Sequence, residues 1–393
     1  MFLCKYGKIL ILVKLEKIKK DQGERKSMKK RKYLALLLAA GMIAQTALST
    51  GGVVQVQAAE DTYVKTDELT DNDTAAPKKD SVIPSKNQYE YQKQELAAFC
   101  HFGMNTYTGS EWGNGKENPN QFQLTNDFDE ETYVKAIHDA GFKKLIITAK
   151  HHDGFCIWPS EMTTHDTETA GYEGDVLEEL SRACTKYNID MGLYLSPWDV
   201  NSEYYGYKDK DGKKLVGADG QPLNGKTWDQ VKQEDALDYN EYYDNQLKEI
   251  LGNDKYGNNG HFKEVWMDGA KDTNDKSNAQ DYDFQRWFKT IQQYEGKASG
   301  KYEDDCLLFG AESYTTVRWI GNERGYAAEE TWAKSTIDRE NNTINSNSRD
   351  GYTKGFPNGN QWTVPEADTK ITSGWFWGES KKTPLSMEQL AGI

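Results

Sequence analysis

The sequence predicts an α/β fold of the (β/α)8 TIM-like barrel type. From residue 89 onward, short apolar runs alternate with amphipathic helical patterns, which is typical of parallel strands connected by helices. Three of the apolar runs also end in His, Trp, Tyr or Asp, namely residues 145–155, 191–199 and 261–270. Barrels of this type carry their functional side chains at the C-terminal ends of the strands, so both observations indicate the same architecture.

The elements follow one another in βα order, each supported by its own pattern. Helices are predicted where apolar residues recur every three or four positions, as Val176, Leu177 and Leu180 do. Strands are predicted at residues 96–102, 143–148, 190–195, 262–267 and 306–309, and helices at residues 129–140, 175–187, 239–251 and 282–294. About seven strands can be placed in total, so we expect a barrel that lacks its last strand before Ile393.

Two long polar segments interrupt this order. Residues 205–235 contain a Lys- and Asp-rich run, which indicates a surface loop or a small hairpin. Residues 337–360 form a second insertion rich in Asn and Gly, and residues 318–325 are predicted as a loop after the fifth strand. The two insertions are expected to lie at the surface.

The first part of the chain is predicted to be a targeting segment and no part of the fold. Basic residues 28–32, the apolar run 33–47 and small residues at 56–59 are typical of a cleaved signal peptide, with Met28 as an alternative start. The apolar run of about 15 residues is shorter than the about 20 that span a bilayer. We therefore expect a signal region at 1–59, a flexible leader at 60–88 and a catalytic barrel at 89–393. The protein would be secreted, periplasmic or at the cell surface, without stable membrane insertion.

Charge and cysteine content narrow the classes of partner and site. The chain has a formal net charge of −14, and it is more negative still without the basic residues of the targeting segment. Such a surface repels phosphate backbones, which argues against nucleic acid as a partner. Cys100, Cys156, Cys184 and Cys306 lie in core-like contexts without a CxxC pair, so we expect buried thiols and no structural zinc.

Asp268 is the first candidate for chemistry, because it follows an apolar strand that ends in Trp266. An Asp-Gly pair is also common in simple turns. Here the neighbouring strand ends are rich in aromatic rings and imidazoles, and carboxylates in such surroundings suit sugar chemistry. We therefore interpret Asp268 as functional.

A glycosidase needs a second carboxyl group on the other side of the bond that it cleaves, one ionised and one protonated. Glu323 lies near an indole in the segment 318–325 and is the preferred candidate. Glu312, immediately after the fifth strand, is its rival. The sequence alone does not decide between them.

Other polar and aromatic residues near the strand ends allow two interpretations each. His151 and His152 suggest a metal site, yet neighbouring side chains are expected to point in different directions, and zinc needs a further ligand. We expect them to bind sugar hydroxyls without a metal, although one of the pair could be purely structural. Glu111 would bind sugar hydroxyl groups while Trp112 stacks on a face of the sugar. The alternative is that Glu111 is an ordinary loop residue and Trp112 packs beside it.

Six motifs in register give these residues a common interpretation. Their order and spacing resemble those of the α-L-fucosidases of glycoside hydrolase family 29 from residue 96 to residue 377. The motifs are His101-Phe-Gly, Asn105-Thr-Tyr-Thr with Glu111-Trp-Gly, Ala149-Lys-His-His-Asp-Gly-Phe155, Tyr194-Leu-Ser-Pro-Trp-Asp199, Trp266-Met-Asp-Gly-Ala270 and Arg318-Trp-Ile-Gly-Asn-Glu-Arg-Gly325. The second and last motifs resemble the branch that prefers α-1,3 and α-1,4 linkages.

The resemblance implies a retaining mechanism without metal or other cofactor, with Asp268 as nucleophile and Glu323 as general acid/base. The substrates would be fucosylated oligosaccharides or glycoconjugates. The family's barrel closes with an eighth strand and is usually followed by a β-sandwich, and we expect neither before Ile393. The expected substrate-binding residues are His101, Glu111, Trp112, His151, His152, Tyr194, Trp266, Arg318 and Trp375. Two alternatives remain open: another barrel glycosidase, for example of the α-galactosidase type, and a fucose-binding fragment without catalysis.

Overall fold

The computed structural model describes residues 82–125, 128–217, 219–268, 280–295, 306–378, 383–386 and 388. The predicted signal region and the leader up to residue 81 lie outside these residues. Helix α1 begins at Lys86, inside the segment predicted as leader. It begins there because Ser85 and Gln88 form a capping box, in which each side chain accepts a hydrogen bond from the other's backbone N–H.

The barrel is built on a parallel sheet of seven strands in the part of the chain that the structure describes. The strands are β1 Ala97–Cys100, β2 Lys144–Lys150, β3 Asp190–Leu195, β4 Glu264–Trp266, β5 Leu307–Phe309, β6 Val317–Trp319 and β11 Val364–Glu366, paired in that order. The sheet is curled, because the ring of Phe99 on β1 lies 5.2 Å from the ring of Trp266 on β4, three strands away. This curled parallel sheet confirms the predicted barrel class.

The helices begin where the sequence supplies an N-cap. Asp129, Asp175, Asp238 and Asp283 each accept a backbone N–H at the start of a long helix, at 2.9–3.1 Å, and a cap of this kind stabilises a helix by about 1 kcal/mol. The helices are α1 Lys86–Gln94, α2 Met104–Thr108, α3 Glu130–Asp139, α4 Val176–Tyr187, α5 Trp228–Glu234, α6 Tyr239–Leu251, α7 Phe284–Tyr294 and α8 Arg349–Lys354, with short 3-10 turns at Pro119–Gln121, Leu223–Gly225, Glu312–Tyr314 and Asn345–Asn347.

The two polar insertions contain more structure than predicted. The first carries helix α5 and a small core of its own, formed by Tyr207, Leu215, Val216 and Val231. Helix α5 was not predicted from the sequence, because a helix that buries Val231 alone shows no stripe of apolar residues. The second contains helix α8 and lies among four two-residue strands that pair antiparallel: β7 Lys334–Ser335 with β10 Gln361–Trp362, and β8 Ile337–Asp338 with β9 Thr343–Ile344.

The sheet has a different layer on each side. Its convex side packs against the helices through the larger apolar core. Its concave side holds an aromatic-rich cluster, in which Tyr194, Trp266 and Phe309 stack on one another. None of the helices that the structure describes is long and apolar enough to cross a membrane. Cys100, Cys156, Cys184 and Cys306 are all buried, as their sequence contexts predicted.

Helix α1 closes the N-terminal end of the sheet. The hydroxyl oxygen of Tyr91 lies 2.9 Å from Glu264 and within hydrogen-bond distance of Glu366, so it donates its single proton to one of these two carboxyl groups, and the Nζ of Lys144 lies 2.7 Å from Glu264. The amide of Gln88 donates to the carbonyl groups of Thr316 and Trp362. This end is therefore filled by a buried polar network, so the open end for a ligand is the opposite one.

Candidate active site

Asp268 lies two residues beyond β4, at the C-terminal end of the sheet. Its Oδ2 accepts a hydrogen bond of 3.0 Å from the hydroxyl of Tyr194, and the Nε2 of His152 lies 3.5 Å from the same oxygen. Burial, followed by the charge of Asp268, raises the pKa of the Tyr194 phenol well above its usual value. Tyr194 therefore remains a hydrogen-bond donor to the carboxylate throughout the neutral pH range.

His152 is held in one tautomer by Ser196. The Nδ1 of His152 lies 2.7 Å from the Oγ of Ser196, and the hydroxyl of Ser196 donates to the carbonyl of Trp198 at 2.7 Å. Because that hydroxyl has a single proton, Nδ1 of His152 must be the donor of the pair. In the neutral ring, Nε2, which lies beside Asp268, then carries a lone pair and can accept a hydrogen bond from a ligand's hydroxyl group or bind a cation.

His101 and His151 form one wall of the site. The His101 ring stacks on Trp375 at a centroid distance of 4.8 Å, and the His151 ring lies nearly parallel to Tyr194 at 5.4 Å. Burial, then the neighbouring imidazoles of His152 and His101, lowers the pKa of His151 well below its usual value. His151 is therefore neutral at neutral pH, and its Nδ1 has no hydrogen-bond partner among the described residues.

Trp112 stands at the mouth of the site on the loop after β1. Its indole is 52% exposed and lies 5.5 Å from Trp198, edge to face. The loop is tied to the opposite wall because Oε2 of Glu111 accepts the backbone N–H of Trp375 at 3.3 Å. Asn105 supports the same loop, donating its amide to two of the loop's carbonyls at 2.8 and 2.9 Å. An exposed indole beside buried polar groups is typical of a sugar-binding surface.

The second carboxyl group at this wall is Glu323, which follows β6. Its Oε2 accepts hydrogen bonds from the indole of Trp375 at 3.2 Å and from the Nζ of Lys370 at 2.6 Å. Its rival Glu312 lies on a 3-10 turn, where it accepts a hydrogen bond from the amide of Asn342. The structure thus brings Glu323, and not Glu312, to the group of residues around Trp375.

Asp368 is a carboxyl group that sequence reasoning missed. Its Oδ1 accepts the indole N–H of Trp319 at 2.9 Å, and its backbone carbonyl accepts the N–H of Gly325 at 3.1 Å. Burial, with added repulsion from Glu323 and Glu366, raises the pKa of Asp368 to about 7. A carboxylate directly after a strand is a candidate site residue, so the same reasoning could have found Asp368. The strand before Asp368 was not recognised because it is short and contains Pro365.

Asp153 is a second carboxyl group that the sequence did not single out. Burial raises the pKa of Asp153 to about 8, although its Oδ1 accepts the N–H of Phe155 at 2.8 Å. A Cβ at Gly113 would lie only 2.6 Å from the Cβ of Asp153. The loop that carries Trp112 therefore depends on glycine at position 113, where φ is +74°.

Two predicted substrate-binding residues are buried and have partners within the fold. Trp266 is stacked between Tyr194 and Phe309 inside the sheet, and its indole donates to Glu366 at 3.1 Å. Arg318 is fully buried, and its Nη2 donates to the carbonyl of Trp332 at 2.8 Å. Residues 318–325 were predicted as a loop, but Val317–Trp319 is strand β6. Side chains alternate along a strand, so Arg318 points away from the concave side that Val317 faces.

His151, His152 and Asp268 also converge more closely than predicted. Each offers a ligand atom, and these atoms lie within 4.8 Å of one another. The expectation that adjacent histidines diverge is wrong here, because β2 ends at Lys150 and the pair lies in the turn that follows, where side chains need not alternate. That the site needs no metal remains a prediction.

Comparison with known proteins shows similarity to α-L-fucosidases. The Alpha-L-fucosidase family model matches residues 62–379. The chain is 37% identical over 314 residues to alpha-L-fucosidase 1 of Arabidopsis thaliana, an alignment that covers 79% of this chain and 53% of the plant protein. A related rice protein (Oryza sativa subsp. japonica) is 34% identical, with 76% of this chain and 49% of that protein covered. The chain thus spans about half the length of these curated relatives.

Solved structures agree with the family match. A family 29 fucosidase of Ruminococcus gnavus, solved in complex with fucose, superposes with a TM-score of 0.72 at 59% identity, covering 81% of this chain and 61% of that one. The structure of SpGH29 superposes with a TM-score of 0.65 at 37% identity, covering 79% of this chain and 61% of that one. The chain therefore belongs to the α-L-fucosidase family, glycoside hydrolase family 29.

Proposed function

We propose that this protein is an exported exo-glycosidase that releases α-L-fucose from glycans with retention of configuration. The observation that carries the proposal is the pair of carboxyl groups at the open end of the barrel. Asp268 is held by Tyr194 at 3.0 Å, and Glu323 is tied to Trp375 at 3.2 Å. The Ruminococcus gnavus relative, which was solved with fucose, supports the choice of sugar.

In the first step, a carboxylate oxygen of Asp268 would attack the anomeric carbon while Glu323 donates a proton to the leaving glycosidic oxygen. The C–O bond to the rest of the glycan breaks, and fucose becomes an ester of Asp268. In the second step, Glu323 takes a proton from water, and that water hydrolyses the ester. Retaining enzymes place these two carboxyl groups about 5–5.5 Å apart.

The remaining residues would bind and orient the sugar. Nε2 of His152, next to the nucleophile, is placed to hydrogen-bond a hydroxyl group of fucose. The indoles of Trp112 and Trp375 would cover the C–H surface and the C5-methyl group. An apolar surface there favours a deoxy sugar over one with a hydroxymethyl group, because a buried hydroxyl without a partner costs about 1–3 kcal/mol.

The test is turnover of paired substrates. We expect hydrolysis of an aryl α-L-fucoside and little of an aryl α-D-galactoside, with proton NMR detecting the α-anomer of fucose first. Galactose release would favour another barrel glycosidase, and the β-anomer as first product would reject retention. Calorimetric binding of L-fucose without any hydrolysis would instead indicate a fucose-binding fragment.

The preference for α-1,3 and α-1,4 linkages is part of the proposal. It rests on the resemblance of the Asn105 and Arg318 motifs, and Asn105 supports the Trp112 loop through two hydrogen bonds. We expect fucose release from α-1,3- and α-1,4-fucosylated trisaccharides, with at least tenfold slower release from α-1,2-linked ones, as measured by chromatography. Equal rates would reject the preference.

Export is supported by the basic and apolar pattern of residues 28–47. Expression in the producing organism, followed by cell fractionation and N-terminal sequencing, is the test. A mature N-terminus near residue 59 outside the cytoplasm is expected. Intact protein in the cytoplasm would contradict export.

A further inference from the structure

Three side chains at the proposed fucose site offer donor atoms of the kinds that bind transition metals. His151, His152 and Asp268 each offer one ligand atom within 4.8 Å of the others. Nε2 of His152 and Oδ2 of Asp268 are 3.5 Å apart. Bonds of about 2.0–2.2 Å to zinc place two tetrahedral ligands about 3.4 Å apart, so this pair already has the required spacing.

The surroundings of the two histidines also fit a metal. A metal-bound imidazole usually donates its other N–H to a protein oxygen, and His152 makes this bond to Ser196 Oγ at 2.7 Å. His151 is buried, with 7% of the residue's surface exposed, and its Nδ1 has no hydrogen-bond partner among the described residues. Two imidazoles and one carboxylate, with an open fourth position, are the ligand set of many zinc sites.

We propose that a Zn²⁺-type divalent ion binds at His151, His152 and Asp268 in competition with the sugar and acts as a reversible inhibitor. The inhibition rests on the proposed function, since the ion would hold the carboxylate that attacks the anomeric carbon. It would also occupy the space of the sugar hydroxyls near His152. Mg²⁺ and Ca²⁺ prefer oxygen ligands and are not expected to bind here.

The test measures binding without turnover. The full chain, freed of metal, is titrated with Zn²⁺ by calorimetry, and with Co²⁺ while its visible absorption is recorded. We expect one ion per chain, a tetrahedral or five-coordinate Co²⁺ spectrum, and an apparent affinity that falls as L-fucose is added. Mg²⁺ should give no signal. Absence of saturable Zn²⁺ binding would overturn the inference.

Two ligand variants and one control variant locate the ion. His152→Gln should weaken Zn²⁺ binding by about tenfold or more, because one of three protein ligands is lost. His138→Gln is the matched control, since His138 lies on the surface beside Asp139 at 3.4 Å, and it should bind Zn²⁺ as the parent does. His151→Asn, which keeps a polar group, is a second ligand variant, and circular dichroism checks the fold of each.

These outcomes separate the inference from the proposed function. If Zn²⁺ affinity falls in His138→Gln but not in either ligand variant, the ion binds elsewhere and the inference is wrong. If Zn²⁺ binds at these residues but the chain releases no fucose, the metal site stands and the proposed activity fails. If the chain is active and Zn²⁺ lowers kcat without changing the apparent KM, competition at the sugar site is rejected.

Discussion

At the scale of single residues, the site consists of charged groups whose environments differ sharply. Asp268 is partly exposed and hydrogen-bonded by Tyr194, which stabilises its ionised form. Glu323 is 46% exposed and paired with Lys370, whereas Asp368, close to it, is largely withdrawn from water. The three carboxyl groups therefore differ in exposure and in partners.

Asp268→Gly is expected to lower kcat by about 10³–10⁵-fold, because the variant has no group to form the glycosyl ester. Added azide should restore part of the rate by taking the place of the carboxylate, and NMR should then show fucosyl azide. Asp268→Asn, of nearly the same size, should be equally slow while circular dichroism remains unchanged. Near-parental activity in either folded variant would exclude Asp268 as nucleophile.

Glu323→Ala should slow substrates with poor leaving groups far more than aryl fucosides, because a good leaving group needs little protonation. The measurement is kcat/KM across a series of fucosides with leaving groups of increasing basicity. Glu312→Ala is the comparison variant. If Glu312→Ala shows the steeper dependence on the leaving group, the two roles must be exchanged.

Asp368→Asn is expected to raise stability more at pH 8 than at pH 5. The pKa of Asp368 is raised from 3.8 to about 7 in the folded state, so between these values the folded protein binds more protons than the unfolded chain. Stability therefore falls as pH rises through this window. Asn keeps the bond to Trp319 without the charge. The gain at pH 8 should be roughly 1–2 kcal/mol, after discounting for partial solvent exposure.

Thermal unfolding at the two pH values, followed by circular dichroism, is the measurement for Asp368→Asn. Glu340→Gln, an exposed carboxyl variant, serves as the control and should show no such difference. Equal destabilisation of Asp368→Asn at both pH values would contradict the prediction.

At the scale of elements, helix α1 is the part of the fold that the sequence indicated least. Residues 86–88 fall in the segment predicted as leader, yet Gln88 is buried and reaches the carbonyls of Thr316 and Trp362 at 3.1 and 3.0 Å. Local composition gave no sign of this, since the partners lie 228 and 274 positions away in the chain. A polar residue in a polar segment becomes structural through contacts that sequence patterns do not report.

Gln88→Ala should lower the free energy of unfolding by about 1–2 kcal/mol, because the carbonyls of Thr316 and Trp362 each lose a donor and the side-chain half of the capping box of α1 is lost. Gln92→Ala is the matched control, since Gln92 lies one turn later on α1 and is exposed. Its effect should stay within about 0.5 kcal/mol. Urea unfolding of both variants is the measurement, and similar losses would show that α1 does not close the barrel as described.

At the scale of the whole molecule, one end of the curled sheet is filled and the other is open. The filled end holds Tyr91, Lys144 and Glu264, and the open end holds Asp268 with its histidines and indoles. Parallel strands make this asymmetry, because all their C-terminal ends lie at the same edge. The proposed reaction can therefore be confined to the open end, while the filled end contributes stability.

Activity is expected to survive EDTA, because the proposed mechanism uses carboxyl groups alone and the histidines bind sugar hydroxyls. The measurement is fucoside hydrolysis after dialysis against chelator, compared with untreated protein. Rates should agree within about twofold, and rise if traces of an inhibiting ion were present. Complete loss, restored by one equivalent of a divalent ion, would make the His151 and His152 pair part of a catalytic metal centre.

The sequence by itself determined the order of the first five strands of the sheet and of the long helices between them, since apolar periodicity and Asp N-caps are local signals. It also singled out Asp268 and Tyr194, because each belongs to a motif at the end of an apolar strand, and the structure places the Tyr194 hydroxyl 3.0 Å from the Asp268 carboxylate. Only the tertiary structure decided that Arg318 faces away from the concave side of the sheet. It also decided that Glu323, and not Glu312, accepts a hydrogen bond from Trp375, and that Asp368 lies close to Glu323. Those outcomes depend on strand alternation in a three-residue strand and on contacts between distant segments, which no local pattern specifies.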